Sequence, residues 1–486
     1  TNYQDYFNDK ISYSGTPEKG RKPSGAVMGT ALTLPTKKHV EGEEEHTEEG
    51  EGDHAEPSTD GGEEDEEGEI IPVFKPAKHD AVFYGKEPIK YLVTLSNKYK
   101  IKQEGTFSMV VETERGKQVS VTTVKVKIPR KGMKKFYVTV PTPPEPGIYM
   151  LRAATNTTTY DDTAALAFGY EINKIQTPYY LPPDFDDFWR EALAELATVD
   201  PQYKITPDPG QSTKYHDVYR VDMMGLGNVP FYGYLSIPKL KGKYPVVVGY
   251  GGYEKFVPPL LFVDYITFAV NVRNLEKASK ELVNPENQKQ LLVNIENKDQ
   301  YIYRGIYMDC VRALEFVYSN PDKSIDLNKV IAFGGSQGAS LGIITAALMP
   351  NKFSAVVASN PVFADWKNSL EIGFSKRSLA FPAGDIQRYF ISNPGTTSES
   401  LLPTLHYFDL QNFMPKVSCP ILYGVGLLDE FIPPGSALAA FNKLSPAALR
   451  KSELFIFPRL GHEIPNYHNS FIGNWFAEQT AGGRKK

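Results

Sequence analysis

The chain has 486 residues, enough for two or three folded units of about 100–200 residues each, so a single small core is excluded. Hydrophobic residues make up 41% and charged residues 23%, which is typical of a globular protein with only local disorder. The net charge of −5 is uneven, because residues 41–69 hold 16 Asp or Glu and no Lys or Arg, and the remainder carries +11. No basic run is interleaved with aromatic residues, which argues against nucleic-acid binding.

Cysteine count and hydropathy restrict the class further. Cys310 and Cys419 cannot form a disulfide framework, and neither has neighbours at metal-ligand spacing, so we expect buried thiols, no metal and no cofactor. The longest apolar stretch, residues 257–272, is interrupted by Pro and Asp and is too short for a membrane span. Thr1 is not an initiator methionine, which favours an extracytoplasmic (periplasmic or secreted) protein whose leader was removed, with the cytoplasm as the alternative.

Residues 1–69 are predicted to be a tail. The first 40 residues show neither a sustained helical nor a sustained strand periodicity. Residues 41–69 are a low-complexity acidic segment, which cannot bury enough apolar surface to offset the entropy lost when it becomes ordered. A calcium site is the alternative there, but the Asp-x-Asp-x-Asp-Gly spacing is missing.

Residues 70–176 are predicted to form an Ig-like β-sandwich, because short β-rich runs alternate with turns. The turn at 114–117 joins two alternating runs and predicts a hairpin. No Ser, His and Asp constellation stands out in this part, so we expect it to bind, position or pack. The predicted strands are Tyr91–Leu95, Thr106–Thr113, Val119–Ile128, Phe136–Val140, Gly147–Ala153 and Ala164–Ile172.

Residues 178–486 are predicted to form a doubly wound α/β domain with a mostly parallel sheet, the α/β-hydrolase class. A proline-rich connector leads to Asp184, a predicted N-cap, and to a helix with one apolar face. Short continuous apolar runs then alternate with helical stretches, as parallel strands buried on both faces require. These runs are Val246–Val248, Tyr265–Val270, Val330–Phe333, Ala355–Ala358, Ile421–Val425 and Leu454–Phe457, with helices predicted at Ile306–Val317 and Gln337–Met349.

Ser336 is the predicted nucleophile. It lies in the segment 334–338, Gly-Gly-Ser-Gln-Gly, between a predicted buried strand and a predicted helix. Small residues on both sides let strand and helix approach closely, and the sharp turn exposes the hydroxyl that acyl transfer needs. An ordinary turn is the alternative interpretation.

A serine hydroxyl also needs a base and an orienting acid, which follow it in this class in the order Ser, acid, His. His462 comes just after the last predicted strand and is the predicted base. Asp429 ends the strand before it and is predicted to hold the imidazole tautomer and stabilise the imidazolium. Glu430 and Asp365 are the competing acids.

Two backbone amides are predicted to form the oxyanion hole. The Gln337 amide lies at the start of the helix that follows the nucleophile, where the helix dipole also points toward the site. The second amide is that of Tyr253, in the loop Gly-Tyr-Gly-Gly-Tyr at 249–253. A glycine-rich strand exit without function is the alternative for this loop, and no Gly-Lys-Ser/Thr follows it that would bind phosphate.

Five segments between residues 178 and 478 carry a family resemblance: Pro183–Trp189, Tyr303–Ala313, Gly335–Gly338, Gly426–Asp429 with Pro433-Pro434, and Gly461–Glu463. They resemble the acetyl xylan esterase and cephalosporin-C deacetylase family. The resemblance implies an α/β-hydrolase that removes acetyl groups from small acetylated sugars and xylo-oligosaccharides without metal or organic cofactor. It also implies oxyanion amides at Tyr253 and Gln337, and ring-like homo-oligomers.

The chain departs from that family at two places near the expected pocket wall. Gly251 stands where members typically have His, and Arg273-Asn-Leu stands where they have Arg-Gly-Gln. The predicted function is removal of acetyl groups from acetylated xylan or related sugars through an acyl-enzyme. The alternatives are a serine peptidase of the prolyl-oligopeptidase type and an inactive glycan-binding surface protein.

Overall fold

The computed structural model describes residues 68–273, 289–378, 380–463 and 465–480, without the side chains of residues 466–470. The predicted acidic tail, and the calcium site that was its alternative, therefore lie outside the described residues apart from Gly68 and Glu69. Asn274 and Leu275, which carry one of the departures from the family, also lie outside them.

The described chain folds into strands followed by alternating strands and helices. The strands are β1 (Ile70–Pro76), β2 (Val82–Phe83), β3 (Ile89–Asn97), β4 (Gln103–Thr113), β5 (Gln118–Ile128), β6 (Met133–Val140), β7 (Gly147–Thr157), β8 (Asp161–Tyr170), β9 (Lys204–Pro207), β10 (His216–Met224), β11 (Pro230–Pro238), β12 (Tyr244–Tyr250), β13 (Ile266–Asn271), β14 (Ile325–Gly335), β15 (Ala355–Ser359), β16 (Ile421–Gly426) and β17 (Glu453–Phe457). The helices are α1 (Phe185–Thr198), α2 (Ile302–Ser319), α3 (Gln337–Leu348), α4 (Trp366–Ser375), α5 (Ala383–Ser392), α6 (Ser398–Leu405), α7 (Leu410–Phe413), α8 (Pro434–Phe441), α9 (Pro446–Leu449) and α10 (Asn466–Thr480).

The first eight strands form two sheets with one core between them. A three-stranded sheet has the order β1-β3-β6, and a five-stranded sheet has the order β2-β8-β7-β4-β5. Along β3 every second residue is buried, which is the period of a strand with one face on a core. Val93, Phe107 and Phe168 are fully enclosed in that core. The predicted sandwich and the hairpin between β4 and β5 are confirmed.

A nine-stranded sheet forms the second part, with the order β17-β16-β15-β14-β12-β13-β11-β10-β9. Strands β12 to β17 run parallel, whereas β9, β10 and β11 pair antiparallel at one edge. All residues of β13, β15 and β16 are buried, as their apolar sequences predict for strands covered on both faces. The predicted α/β-hydrolase fold is confirmed, and the antiparallel edge is an addition to it.

The carboxyl ends of neighbouring parallel strands meet at one edge of this sheet, which is where ligands bind in open α/β sheets. Tyr250, at the end of β12, is in register with Gly334 of β14, and Gly335 is in register with Ser359 of β15. Ser359 is in turn in register with Gly424 of β16. The loops after β12, β14, β15 and β16 therefore lie along the same edge.

Helix α1 attaches the connector to the helices between β15 and β16. The Trp189 indole N–H donates to the Tyr407 carbonyl oxygen at 3.1 Å, and Phe185 packs edge-on against Phe413. Asp184 precedes the helix as predicted, but its side chain makes no capping hydrogen bond and instead accepts from the Tyr407 hydroxyl. Asp184 is therefore the N-cap residue by position, as predicted, although its side chain binds Tyr407 and does not cap the helix.

A buried ion pair joins the end of β13 to α2. The Arg273 guanidinium donates to Asp309 at 2.8 and 2.6 Å, and the Arg273 amide donates to the same carboxylate at 3.0 Å. Gly305 and Gly225 make room for it, since a Cβ atom on either would lie 2.2 Å from the nearest atom of the pair. Removing one partner of such a pair typically costs about 3–5 kcal/mol of stability, so Arg273 has a structural role here.

Candidate active site

Ser336 lies at the junction of β14 and α3 in a strained conformation. Its φ of 56° and ψ of −125° are uncommon for a residue with a side chain, and its amide donates to the Ser359 carbonyl oxygen at 2.8 Å. A Cβ atom on Gly338 would lie 2.1 Å from the Tyr250 carbonyl oxygen, and one on Gly334 would lie 2.3 Å from the Gly338 backbone. Glycine at both positions is what allows the turn to close and present the hydroxyl.

The three side chains that the sequence singles out meet in space. His462 Nε2 is 2.7 Å from Ser336 Oγ, and His462 Nδ1 is 2.7 Å from Asp429 Oδ2. Because a carboxylate only accepts hydrogen bonds, Nδ1 carries the proton and Nε2 is free to accept from the serine. The other Asp429 oxygen accepts from the amides of Phe431 and Ile432 at 2.8 and 3.2 Å, which fixes the carboxylate.

Burial separates the three groups in the way nucleophilic catalysis needs. The Asp429 side chain is 1% exposed and the His462 side chain 18% exposed, so the acid is shielded from water while the base remains accessible. Ser336 is partly exposed. The arrangement can take a proton from the hydroxyl and return it to a leaving group.

The two competing acids are placed elsewhere. Glu430 is exposed, and His462 pairs with its neighbour Asp429 instead. Asp365 is buried at the start of α4, where it accepts from the Ser436 hydroxyl at 3.2 Å. Burial raises the pKa of Asp365 above its ordinary value.

The two predicted oxyanion donors lie next to the turn. The Gln337 amide is the first of α3, and the first amides of a helix have no partner within it. The Gln337 side chain is buried and accepts from the Tyr303 hydroxyl at 2.5 Å, while burial raises the pKa of Tyr303 and keeps that phenol a donor. Tyr253 follows β12, whose last residue touches Gly338. That these amides stabilise an oxyanion stays a prediction.

An aromatic wall, composed of Tyr253, Phe381 and Phe431, borders His462. The Phe431 ring lies 4.5 Å from the His462 ring and is 38% exposed. The Phe381 ring packs against the Phe431 ring, with 6.4 Å between the ring centroids, and stacks on the Tyr253 ring, with 4.2 Å between the centroids. Sequence analysis missed Phe431 and Phe381. For Phe431 a signal existed, since it lies two residues after the predicted acid.

Asn360 is a second residue that sequence analysis missed. Its Oδ1 accepts from the Gly426 amide at 2.9 Å, and its Nδ2 donates to the Glu463 carbonyl oxygen at 3.3 Å. It therefore connects the ends of β15 and β16 to the loop that carries His462. Asn360 has a φ of 47°, a left-handed conformation that Asn tolerates better than most residues.

Comparison with known proteins places this geometry in a family. A family model described as acetyl xylan esterase matches residues 166–479, which is more than half of the chain. The chain belongs to the acetyl xylan esterase family. This confirms the resemblance.

The chain is also similar to a curated acetyl esterase and to solved structures. The acetyl esterase Axe7A of Xylanibacter ruminicola is 27% identical over 300 residues, 59% of this chain, and the chain spans 65% of that protein's length. Acetyl xylan esterases from Thermoanaerobacterium and Paenibacillus species both superpose with a TM-score of 0.57. They are 22% and 24% identical, cover 64% and 63% of this chain, and each matches over 98% of its own length. At that identity the two structures establish the fold alone.

Among the described residues, no helix is long and apolar enough to cross a membrane. Within the same part of the chain, no group of three or more His, Cys, Asp or Glu side chains could hold a metal ion. Cys310 and Cys419 are buried free thiols, as the sequence predicts.

Proposed function

We propose that the chain is a serine esterase that removes acetyl groups from acetylated xylan, xylo-oligosaccharides or related acetylated sugars. The observation that carries the proposal is the continuous hydrogen-bonded path from Ser336 through His462 to Asp429. Family membership and the acetyl esterase relative support the acetyl group as the one transferred.

The reaction proceeds through an acetyl-enzyme. Ser336 Oγ attacks the acetyl carbonyl carbon while its proton passes to His462 Nε2. The amides of Tyr253 and Gln337 stabilise the oxyanion. The C–O bond to the sugar then breaks, and His462 returns the proton to the leaving sugar oxygen. A water molecule repeats the sequence on the acetyl-enzyme, releasing acetate and restoring the serine.

The surrounding organisation belongs to the proposal as well. We divide the chain into a tail (1–69), a sandwich domain (70–176) and a catalytic hydrolase domain (178–486), working outside the cytoplasm. The Phe431 ring beside His462 is proposed to contact the bound ester, and a homo-oligomer is the assembly proposed.

A product screen tests the substrate class. The purified full chain is incubated with acetylated xylan, acetylated xylo-oligosaccharides, cephalosporin C and a set of proline-containing peptides. Acetate release from the acetylated sugars is expected, with no peptide cleavage. Peptide cleavage without acetate release contradicts the proposal and selects the peptidase alternative, whereas binding of the sugars without turnover selects the inactive glycan binder.

A further inference from the structure

The tip of the β4–β5 hairpin, defined here as residues 113–117, reaches from the sandwich onto helices α4 and α8 of the hydrolase part. The Thr113 amide donates to the Lys117 carbonyl oxygen at 2.9 Å, and the Lys117 amide donates to the Thr113 hydroxyl at 3.2 Å. The Gly116 amide donates to the Thr113 carbonyl oxygen at 2.9 Å and completes the closure of the tip. Gly116 has a φ of 79°, which favours glycine. The tip is thus a fixed turn rather than a loose loop.

Glu114 of this tip binds the segment that carries the catalytic acid. We name residues 429–435 the acid loop. One Glu114 carboxylate oxygen accepts from the Gly435 amide at 2.9 Å, across 321 positions of sequence. Pro433 and Pro434 have no N–H, so Gly435 is the first residue of α8 with an amide to donate.

Gly435 is shaped for this contact. A Cβ atom at this buried position would lie 2.1 Å from the second Glu114 oxygen, so a larger residue would displace the carboxylate. A negative charge at a helix N-terminus is also favourable, because the first helical amides point toward it. Both the contact geometry and the charge therefore favour the Glu114 carboxylate as the partner of this end of the acid loop.

A second set of contacts ties the same tip to α4. Arg115 donates to Asn368 and Glu371 at 2.5 and 2.8 Å. Asn368 in turn donates to the Ser436 hydroxyl at 2.9 Å, next to Gly435. The tip, α4 and the start of α8 therefore form one polar network behind the acid loop.

The other end of the acid loop is the catalytic constellation. Asp429 accepts from the amides of Phe431 and Ile432, and Phe431 lies against the His462 ring. A shift of the Gly435 end would move these groups through only a few intervening residues. Displacing catalytic groups by about 1 Å can cost up to about 100-fold in rate.

We propose that Glu114 is a positioning residue of the esterase, through which the sandwich holds the acid loop in the geometry that orients His462. The inference rests on the proposed function. Glu114 lies outside residues 166–479, the region that matches the family, so membership assigns it no role. Burial raises the pKa of Glu114 to about 7 and Asp365 raises it further, whereas the hydrogen bond from the Gly435 amide and the charges of Lys376 and Arg115 lower it.

Glu114→Ala, Glu114→Gln and the control Glu145→Ala, an exposed glutamate of the same sandwich, are compared by p-nitrophenyl acetate hydrolysis. The expected kcat of Glu114→Ala is about tenfold lower, with KM within about twofold, because orientation rather than binding is lost. Glu114→Gln keeps an acceptor oxygen of the same reach and should stay within about threefold of wild type. The rate of fluorophosphonate labelling of Ser336 should fall with kcat.

Gly435→Ala supplies a second route if Glu114→Ala fails to fold. Its Cβ displaces the carboxylate, so kcat should again fall about tenfold, and the double variant should be no worse than either single variant. Folded Glu114→Ala or Gly435→Ala with wild-type kcat overturns the inference, as does a lower melting temperature with unchanged turnover. If the wild-type chain neither hydrolyses the ester nor reacts with the fluorophosphonate, the proposed function is wrong, and the inference that rests on it is wrong as well.

Discussion

At the scale of single residues, the site depends on a few atoms held in one orientation. Asp429 uses one oxygen for His462 and the other for two amides of its own loop, so the carboxylate cannot rotate without losing bonds. Ser336 has a strained backbone conformation in a tight turn, and Gly334 and Gly338 allow that turn to close. Neither device requires substrate, so the hydroxyl and imidazole are already aligned in the free chain.

Replacing Asp429 with Asn tests the role of the acid. The amide can present an N–H to His462 Nδ1 and thereby favour the tautomer that leaves Nε2 unable to accept the serine proton. We expect kcat for p-nitrophenyl acetate to fall about 10³–10⁴-fold while the chain remains folded. Glu430→Gln is the matched control and should leave kcat within about twofold, since Glu430 is exposed. Equal losses in both variants, or none in Asp429→Asn, would contradict the assignment.

The residues predicted from sequence are those whose chemistry is tied to a position along the chain. Ser336, Asp429 and His462 each follow a readable apolar strand, so their order and spacing were sufficient. Asn360 and Phe381 were missed because their roles come from contacts with distant segments. A polar or aromatic residue in a loop carries no local signal of which neighbour it will meet.

At the scale of elements, the turn from β14 into α3 is the part most tightly specified. The strand is apolar and buried in its last half, and the helix that follows is buried along almost its whole length. The prediction of parallel strands from continuous apolar runs is confirmed. Strands β9 and β10 were missed because they are antiparallel and exposed or partly exposed, so their mixed polarity resembles a loop as much as a strand. Strand β11 was also missed, although most of its residues are apolar and buried.

Gly338→Ala tests whether the close packing of the turn between β14 and α3 is needed for activity. The added Cβ would meet the Tyr250 carbonyl oxygen at 2.1 Å, so α3 must move away from β12. We expect at least about a tenfold loss of kcat, because the hydroxyl shifts relative to the imidazole. Gly473→Ala in α10 is the control, since nothing lies within 4 Å of its Cβ, and should keep full activity. Full activity of Gly338→Ala, measured alongside its melting temperature, would contradict the proposed tightness of the turn.

At the scale of the whole molecule, the sandwich and the hydrolase part are joined by apolar packing and by specific polar contacts. The sandwich has its own inner core, but Val82, Ile148 and Ala167 of its strands pack into the core of the large sheet. The hairpin tip adds polar contacts at Gly435 and α4. Arg459, after β17, also donates to the Phe74 carbonyl oxygen of β1. Sequence periodicity predicted both folded parts, but not how they meet, because such contacts join residues hundreds of positions apart.

The most direct measurement compares the full chain with Ser336→Ala. The account predicts that wild type hydrolyses p-nitrophenyl acetate and takes a fluorophosphonate label on the peptide containing Ser336. In Ser336→Ala the label is absent and turnover falls by at least about 10³-fold. Ser375→Ala, at an exposed serine, should behave as wild type in both assays. Retention of most turnover by Ser336→Ala, or labelling at another residue, would contradict the account.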